Sequence, residues 1–481
     1  MGQFKLVKNT FSLLTNRVVQ SITTFLLTAA ITRTLGAYAL GQYLLAFTYY
    51  YIFVNIISLG LKTLFTRELS RNLQEMPVYL VSGTFLQLLL SVIGYVVMAV
   101  VVFILPYNSD TSTVCYILGL TIIPFALSNI TEAIFQAQER MNLIAISTVP
   151  VYIIRLLVML WFMQLDYGVN YLAGIFLVSE TLIFVIQWIL ITQTVKPRWQ
   201  LQKDFIWQLL KTARTFLAID AVGIVASRLD ILIISLLGSE VMVGLYGAIG
   251  QLQQPFMMIV NSLCLAVFPQ LTKAVDKTKE NQRQVTENII EILMAMSLPF
   301  VVGIFFIGGD LLKFIYQDSD FNQATLALNI SSLALILFPI VRIFNYLILA
   351  NGLEKFNLIE TVVTTVVSGV SGIILISQYK LLGAALMEVM GIITAFSILT
   401  YAVFSRILMI NLWKIILRPL LMSLGIVLVF IALQTVNLNL LLNVAIAVTA
   451  YSLFSACFMI QALGGINATW KKIFNRVEEK I

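Results

Sequence analysis

Arg33-Thr34-Leu35-Gly36, followed by Gly41-Gln42-Tyr43, sits in a short break between two long apolar runs near 11–32 and 40–61. Leu237-Gly238, followed by Gly244-Leu245-Tyr246, repeats the arrangement between two later apolar runs. A shift of 203 residues superposes the two Gly-x-Tyr triplets, and the preceding turn differs by one residue in length. Apolar runs of about 20 residues on both sides of a glycine-bearing break predict two membrane helices joined by a tight turn. Two copies of that unit predict a duplicated membrane transporter.

Outward from that stretch, the whole chain has the same character. Of its 481 residues 60% are hydrophobic and only 11% are charged, with a mean hydropathy of +0.95. Soluble domains carry about 25% charge, so the expectation is an all-α polytopic membrane protein. The alternating segments of about 10 residues that build a β-barrel are missing. The net charge of +7 reflects basic residues on cytoplasmic loops rather than a nucleic-acid partner. With no histidine in the sequence, catalytic triads, imidazole metal sites and histidine proton relays are excluded. Cys115, Cys264 and Cys457 have no metal-ligand or redox spacing and read as small apolar fillers. The expectation is no catalytic residue, no metal and no enzyme activity. The first apolar run is longer than the 7–15 residues of a cleaved signal and reads as a retained helix.

Charged breaks divide the apolar runs into about fourteen spans. Six fall near 11–32, 40–61, 79–105, 114–136, 146–165 and 171–194, and six more near 214–237, 243–270, 286–308, 325–350, 356–378 and 382–405. Two further spans lie near 412–433 and 438–462. The expected organisation is a six-helix lobe over 1–195, a cytoplasmic linker over 196–213, a second six-helix lobe over 214–406, and two additional helices with a tail over 407–481. With the N-terminus inside, 24 of the 30 basic residues fall on inner segments and only Arg33, Lys313 and Lys380 on outer connections. This asymmetry predicts both termini in the cytoplasm. The outer connections, near 107–113, 166–170, 238–242, 309–324 and 379–381, are too short to fold a domain. A membrane polymerase or ligase usually carries larger ones.

A second internal match supports the duplication. A shift of 215 residues superposes Pro124 on Pro339, Glu139-Arg140 on Glu354-Lys355, and Asn142-Leu143-Ile144 on Asn357-Leu358-Ile359. Proline within a span removes a backbone hydrogen bond and bends the helix, so equivalent bends are expected in spans 4 and 10. Six spans separate equivalent helices, which makes the repeats parallel, with a pseudo-two-fold axis along the membrane normal.

These residues carry a resemblance. Lys8-Asn9-Thr10, Arg33-Thr34-Leu35-Gly36, Gly41-Gln42-Tyr43, Leu59-Gly60-Leu61 before Thr66-Arg67-Glu68-Leu69, and Arg228-Leu229-Asp230 ahead of Leu237-Gly238 resemble the polysaccharide-export branch of the multidrug/oligosaccharidyl-lipid/polysaccharide exporter superfamily, the bacterial oligosaccharide flippases. The resemblance spans essentially the whole chain. It implies two six-helix lobes around a central cavity, often with two C-terminal helices. It also implies a bacterial inner-membrane location and a polyprenyl-diphosphate-linked oligosaccharide as substrate. A polysaccharide polymerase and chain-length proteins are the implied protein partners, and Na⁺ or H⁺ the implied coupling ion.

Ionisable groups inside a bilayer are costly and mark functional interiors or structural pairs. The substrate-binding candidates are Arg33 at the outer end of span 1, Arg155 in span 5, Arg228 in span 7 and Arg342 in span 10. Guanidinium stays ionised in a dry site and binds phosphate bidentately. The structural alternative is that each arginine pairs with a carboxylate, with Glu132, Glu180, Asp220 and Glu388 available within spans, or snorkels to an interface. Asp230 is the ion-coupling candidate by resemblance, with a structural pair as its alternative. The aromatics of span 2, from Tyr43 to Phe53, suit sugar stacking or, more simply, packing and an interfacial belt. The leading expectation is a flippase. The rivals are a multidrug exporter of organic cations, which would need an acidic cavity although span 1 has no Asp or Glu, a membrane polymerase or ligase, and a scaffold protein that transports nothing.

Overall fold

A computed structural model describes residues 2–58, 60–197, 223–434 and 439–462, with isolated positions between 199 and 211. The described residues are almost entirely helical and include no strand. The expected all-α polytopic architecture is the one observed. Among the described residues, eleven stretches are long and apolar enough to cross a membrane. The first of them, Asn9–Arg71, contains two expected spans, because the helix Gly2–Ser58 is broken at Gly36 (φ 83°, ψ 175°). The turn is thus a single residue, and only glycine takes that backbone conformation without strain. We label its two parts α1 (2–35) and α2 (37–58).

Apart from α3, the remaining helices fall on the expected spans, most of them within a few residues and α11 overrunning its span at both ends. They are α3 (Leu61–Arg71), α4 (Thr84–Ile104), α5 (Ser109–Gly119), α6 (Ile122–Ala137), α7 (Met141–Gln164) and α8 (Val169–Thr192). Then come α9 (Leu229–Leu237), α10 (Glu240–Val275), α11 (Lys279–Tyr316), α12 (Ala324–Ser332), α13 (Ala334–Ala350), α14 (Glu354–Tyr379), α15 (Leu381–Arg406), α16 (Leu412–Gln434) and α17 (Leu440–Ala462). Span 4 comprises α5 and α6, and span 10 comprises α12 and α13. Span 7 is described only from Gly223, so Asp220 and most of the linker 196–213 lie outside the described residues. The 38 residues of α11 extend about 57 Å, far more than a bilayer core of about 30 Å. The mixed-charge stretch 273–291 is accordingly the protruding ends of α10 and α11.

Helix α3 is an addition to the expected elements. Its stretch reads as a loop by charge, yet Leu61, Leu64, Phe65 and Leu69 recur at helical spacing and are buried against Ile130, Ile134 and Phe135 of α6. Lys62, Arg67 and Arg71 occupy the other positions, as an amphipathic helix requires.

The two spans with matching prolines are each broken near them, between α5 and α6 before Pro124 and between α12 and α13 before Pro339. Pro339 deprives the Leu335 carbonyl of its helical donor. The buried Ser297 hydroxyl of α11 donates to that carbonyl at 2.5 Å. Ser297→Ala should cost about 1–3 kcal/mol by orphaning it, seen as a lower melting temperature of the purified protein. An unchanged melting temperature would assign the carbonyl another partner.

The turns after α6 and α13 also match. Glu139 (φ 55°) and Gly352 (φ 70°) each take the left-handed conformation, and the next N–H reaches back five residues, from Arg140 to the Phe135 carbonyl and from Leu353 to the Ile348 carbonyl. This Schellman-type closure relates the halves by 213 residues, not the 215 of the residue match. Glu139 sits in the turn, whereas Glu354 begins α14. The turn is shared; the acidic-basic pair is displaced by two positions. Asn9 braces the first of these turns, its side-chain amide donating to the Glu139 carbonyl at 2.9 Å.

Contacts group the chain into two compact units. One comprises Met1–Gln251, Ile315–Phe321 and Gly369–Ala384, and the other Leu252–Phe314, Asn322–Ser368 and Ala385–Ile481. In the second, Phe306 stacks on Phe430 of α16 with ring centroids 5.1 Å apart, and Ile426 and Phe430 pack with Ala447 of α17.

Candidate functional site

Within the first unit the repeated Gly-x-Tyr triplets meet. A Cβ on Gly41 would lie 1.7 Å from the Glu240 carbonyl oxygen, and one on Gly244 would lie 2.2 Å from that of Ala37. Each glycine therefore faces the residue four before the other, and α2 and α10 cross with their backbones in contact, as small residues permit. Gly247 lies against Leu44 one turn further along. Tyr43 and Tyr246, two residues past the glycines, are both buried.

A polar belt surrounds the crossing on the expected outer side. Thr111 donates to the Glu240 carboxylate at 2.9 Å, and the Tyr107 hydroxyl lies 2.9 Å from that of Ser235 and 2.8 Å from that of Tyr49. Tyr38 and Gln42 donate to Asp110 at 2.9 and 2.8 Å. Arg33 belongs to this region. Its guanidinium is exposed, and its Nε donates at 2.6 Å to the Ile315 carbonyl. That carbonyl lies in the last turn of α11, where a cation also meets the negative end of the helix dipole.

Arg155 has a different setting. It is 8% exposed, and its Nη1 lies 2.7 Å from the Glu180 carboxylate and 3.2 Å from the Ser179 hydroxyl. Its guanidinium lies 4.9 Å from the ring centroid of Tyr152 and 4.3 Å from that of Phe176. Spans 5 and 6 are thus joined by a buried ion pair. A second pair, Lys62 with Glu132, continues into buried hydrogen bonds from Gln187 to Ser147 (3.2 Å) and from Thr131 to Gln187 (2.6 Å). Glu132 and Glu180 stand out in the sequence, whereas Lys62 reads there as an ordinary loop charge.

Span 7 is interrupted at Ser227 and Arg228, and α9 begins at Leu229. The Arg228 guanidinium lies 4.5 Å from the Tyr51 ring centroid on α2, within cation–π range. Asp230, in the first turn of α9, accepts from the Ile231 N–H at 2.8 Å and is bonded by the Tyr246 phenol. The second tyrosine of the repeat thus serves the ion-coupling candidate.

Arg342 lies in the second unit, half-buried on α13. Its Nε donates to the Asn261 side-chain oxygen at 2.7 Å, and its guanidinium lies 5.6 Å from the Phe338 ring centroid. Glu360 of α14 is within its electrostatic reach. Glu360 is absent from the sequence-based candidates, although a carboxylate inside the apolar run 356–378 was its signal. Among the described residues, neither Arg228 nor Arg342 has a carboxylate within salt-bridge distance, in contrast to Arg155. Arg33, Arg155 and Arg228 have separate partners within the first unit. The aromatics of α2 largely pack on one another and on Phe176 and Phe125. No group of three or more Cys, Asp or Glu among the described residues could hold a metal.

Residues 6–275 match the family model described as polysaccharide biosynthesis protein. No curated protein sequence matches the chain. Among solved structures, the fold is similar to that of the lipid II flippase MurJ in an inward closed conformation, with a TM-score of 0.72, 15% identity, and coverage of 94% of this chain and 98% of that one. It is also similar to an inward-facing multidrug resistance MATE family transporter (TM-score 0.68, 15% identity, 81% and 94% coverage). A MOP superfamily transporter from Pyrococcus furiosus, with a binding pocket of reversed polarity, gives a TM-score of 0.58 at 14% identity, with 84% and 95% coverage.

Proposed function

The chain belongs to the polysaccharide biosynthesis protein family, and from that premise we propose that it is a flippase for a polyprenyl-diphosphate-linked oligosaccharide. The substrate passes from the cytoplasmic to the outer leaflet of a bacterial inner membrane by alternating access. Both termini are cytoplasmic, the halves 1–195 and 214–406 are the moving bodies, and a polymerase and chain-length proteins take up the product. The protein is a transporter, not an enzyme.

The observation that carries this reading is that the direct contacts of Arg228 and Arg342 inside apolar spans are neutral, Tyr51 and Asn261, with Asp230 and Glu360 beyond salt-bridge distance and only within electrostatic reach. A guanidinium without an ion-pair partner retains its charge for an incoming diphosphate. Arg228 and Arg342 are therefore the principal headgroup ligands in this proposal. Arg33 receives the substrate near the outer side, and Arg155 acts on it only if the Glu180 pair opens. Asp230, at the start of α9, couples transport to Na⁺ or H⁺. A drug exporter for organic cations would need charges of the opposite sign at these positions.

Arg342→Gln and Arg228→Gln should each reduce surface polysaccharide about tenfold or more at unchanged protein abundance, since a hydrogen bond to a charged group contributes about 1.5–3 kcal/mol. Normal polysaccharide from both variants would sink these assignments. In cells lacking the gene, the lipid-linked sugar should accumulate on the inner face of the membrane. Unpolymerised units on the outer face would identify a polymerase instead.

A further inference from the structure

A cavity of 730 Å³ lies among α5, α7 and α8, and neither Arg228 nor Asp230 lines it. Thr113 and Ile117 of α5, Arg155 and Val158 of α7, and Gly174 and Val178 of α8 are among its lining residues. Its size falls within the range of about 300–1,000 Å³ usual for small-molecule sites. The neighbouring side chains Ile154, Val178 and Leu182 are 54%, 67% and 44% exposed. On membrane spans such side chains face lipid, so the groove opens to acyl chains rather than to water. From Asn170 to Leu182 it runs about 18 Å along α8, roughly the depth of one leaflet.

Charge decides which lipid fits. At the deep end Arg155 is already neutralised by Glu180 at 2.7 Å, so it does not call for an anion. Asp166 is exposed in the turn that joins α7 to α8, Asp110 is exposed at the start of α5 where Tyr38 and Gln42 donate to it, and no Lys or Arg occurs in 105–118 or 165–182. Asn170 also lines the groove, and its side-chain oxygen is buried without a hydrogen-bond donor. The mouth thus offers acceptors and negative charge, which suit an ammonium with its three donors and disfavour a net anionic headgroup.

We propose that this groove binds one acyl chain of a membrane phospholipid whose headgroup carries an ammonium, in the leaflet at the 165–168 end of the spans. The chain wedges between α7 and α8 above the Arg155–Glu180 pair, and the ammonium reaches Asn170 and Asp166. Of the substrate contacts proposed above, this site shares only Arg155, which Glu180 holds, and uses neither Arg228 nor Arg342.

The test uses the full-length protein in nanodiscs of equal phosphatidylethanolamine and phosphatidylglycerol, with retained lipid read by native mass spectrometry. A Cβ on Gly174 meets no atom within 4 Å, so Gly174→Leu should fill the groove and improve the helix. The expected result is a phosphatidylethanolamine adduct in the parent protein that is lost in Gly174→Leu at an undiminished melting temperature. Asp166→Asn, an exposed loop change, should shift the preference toward phosphatidylglycerol whether or not Gly174→Leu folds. Equal adducts in parent and Gly174→Leu would overturn the proposal. So would an unchanged preference in Asp166→Asn, or displacement of the adduct by added polyprenyl phosphate.

Discussion

Arg155→Met is expected to destabilise the protein by about 3–5 kcal/mol, because it leaves Glu180 as an uncompensated buried charge. Glu180→Leu should cost a similar amount for the opposite reason, stranding the guanidinium between Tyr152 and Phe176. The double variant Arg155→Met/Glu180→Leu removes both charges and should recover most of the loss, since hydrophobic replacement of a whole buried pair is often neutral or stabilising. Thermal melting of the four proteins forms a double-mutant cycle that isolates the coupling. Additive losses would mean that the two side chains act independently, contrary to their 2.7 Å separation. The same proteins separate two roles for Arg155. Surface polysaccharide retained by the double variant would assign Arg155 to holding spans 5 and 6 together. Polysaccharide lost from a stable double variant would return it to substrate binding.

The crossing of α2 and α10 should be almost as sensitive. Gly41→Ala and Gly244→Ala each place a methyl group where a carbonyl oxygen now stands, 1.7 and 2.2 Å from the new carbon. The obstruction is backbone, which cannot rotate aside, so the helices must separate. Each substitution should cost about 1–3 kcal/mol, the usual range for overpacking. The two clashes lie at one contact, so the separation forced by the first substitution already accommodates the second. The double variant should accordingly lose clearly less than the sum of the single losses, a coupling of about 1 kcal/mol or more. Strict additivity in melting experiments would show that the helices do not meet there. Gly174→Ala, which meets no atom within 4 Å, is the matched control and should leave stability unchanged or slightly higher.

Much of the fold was legible because membrane spans are written in composition. Apolar runs and charged breaks locate the helices to within a few residues, since lipid admits only segments whose backbone groups are satisfied internally. The failures are local and have physical causes. Helix α3 reads as a loop when its charges are counted, yet its four apolar residues at helical spacing bury one face. The 215-residue match misplaces the second turn by two positions, because the shared feature is a left-handed residue followed by a backbone hydrogen bond, and Glu139 and Gly352 satisfy it equally. Glu360 stands alone in the apolar run 356–378, and only its position near Arg342 sets it apart from an ordinary span residue. Lys62 reads as an inner-loop charge, yet it pairs with Glu132.

By itself the sequence determined the class of the protein, its span pattern, the residue matches between its two halves and the short list of charges inside the spans. These depend on hydrophobic length, proline and glycine chemistry, and residue type, all local properties. Only the tertiary structure decided what each charge meets. It pairs Arg155 with Glu180, sets Arg228 over Tyr51 and Arg342 against Asn261, and joins Arg33 to a helix end. It likewise decided that the two Gly-x-Tyr triplets face each other, with Tyr246 reaching Asp230. Those pairings join residues up to 282 positions apart. In an apolar span every buried charge needs some partner, and packing selects which one it obtains.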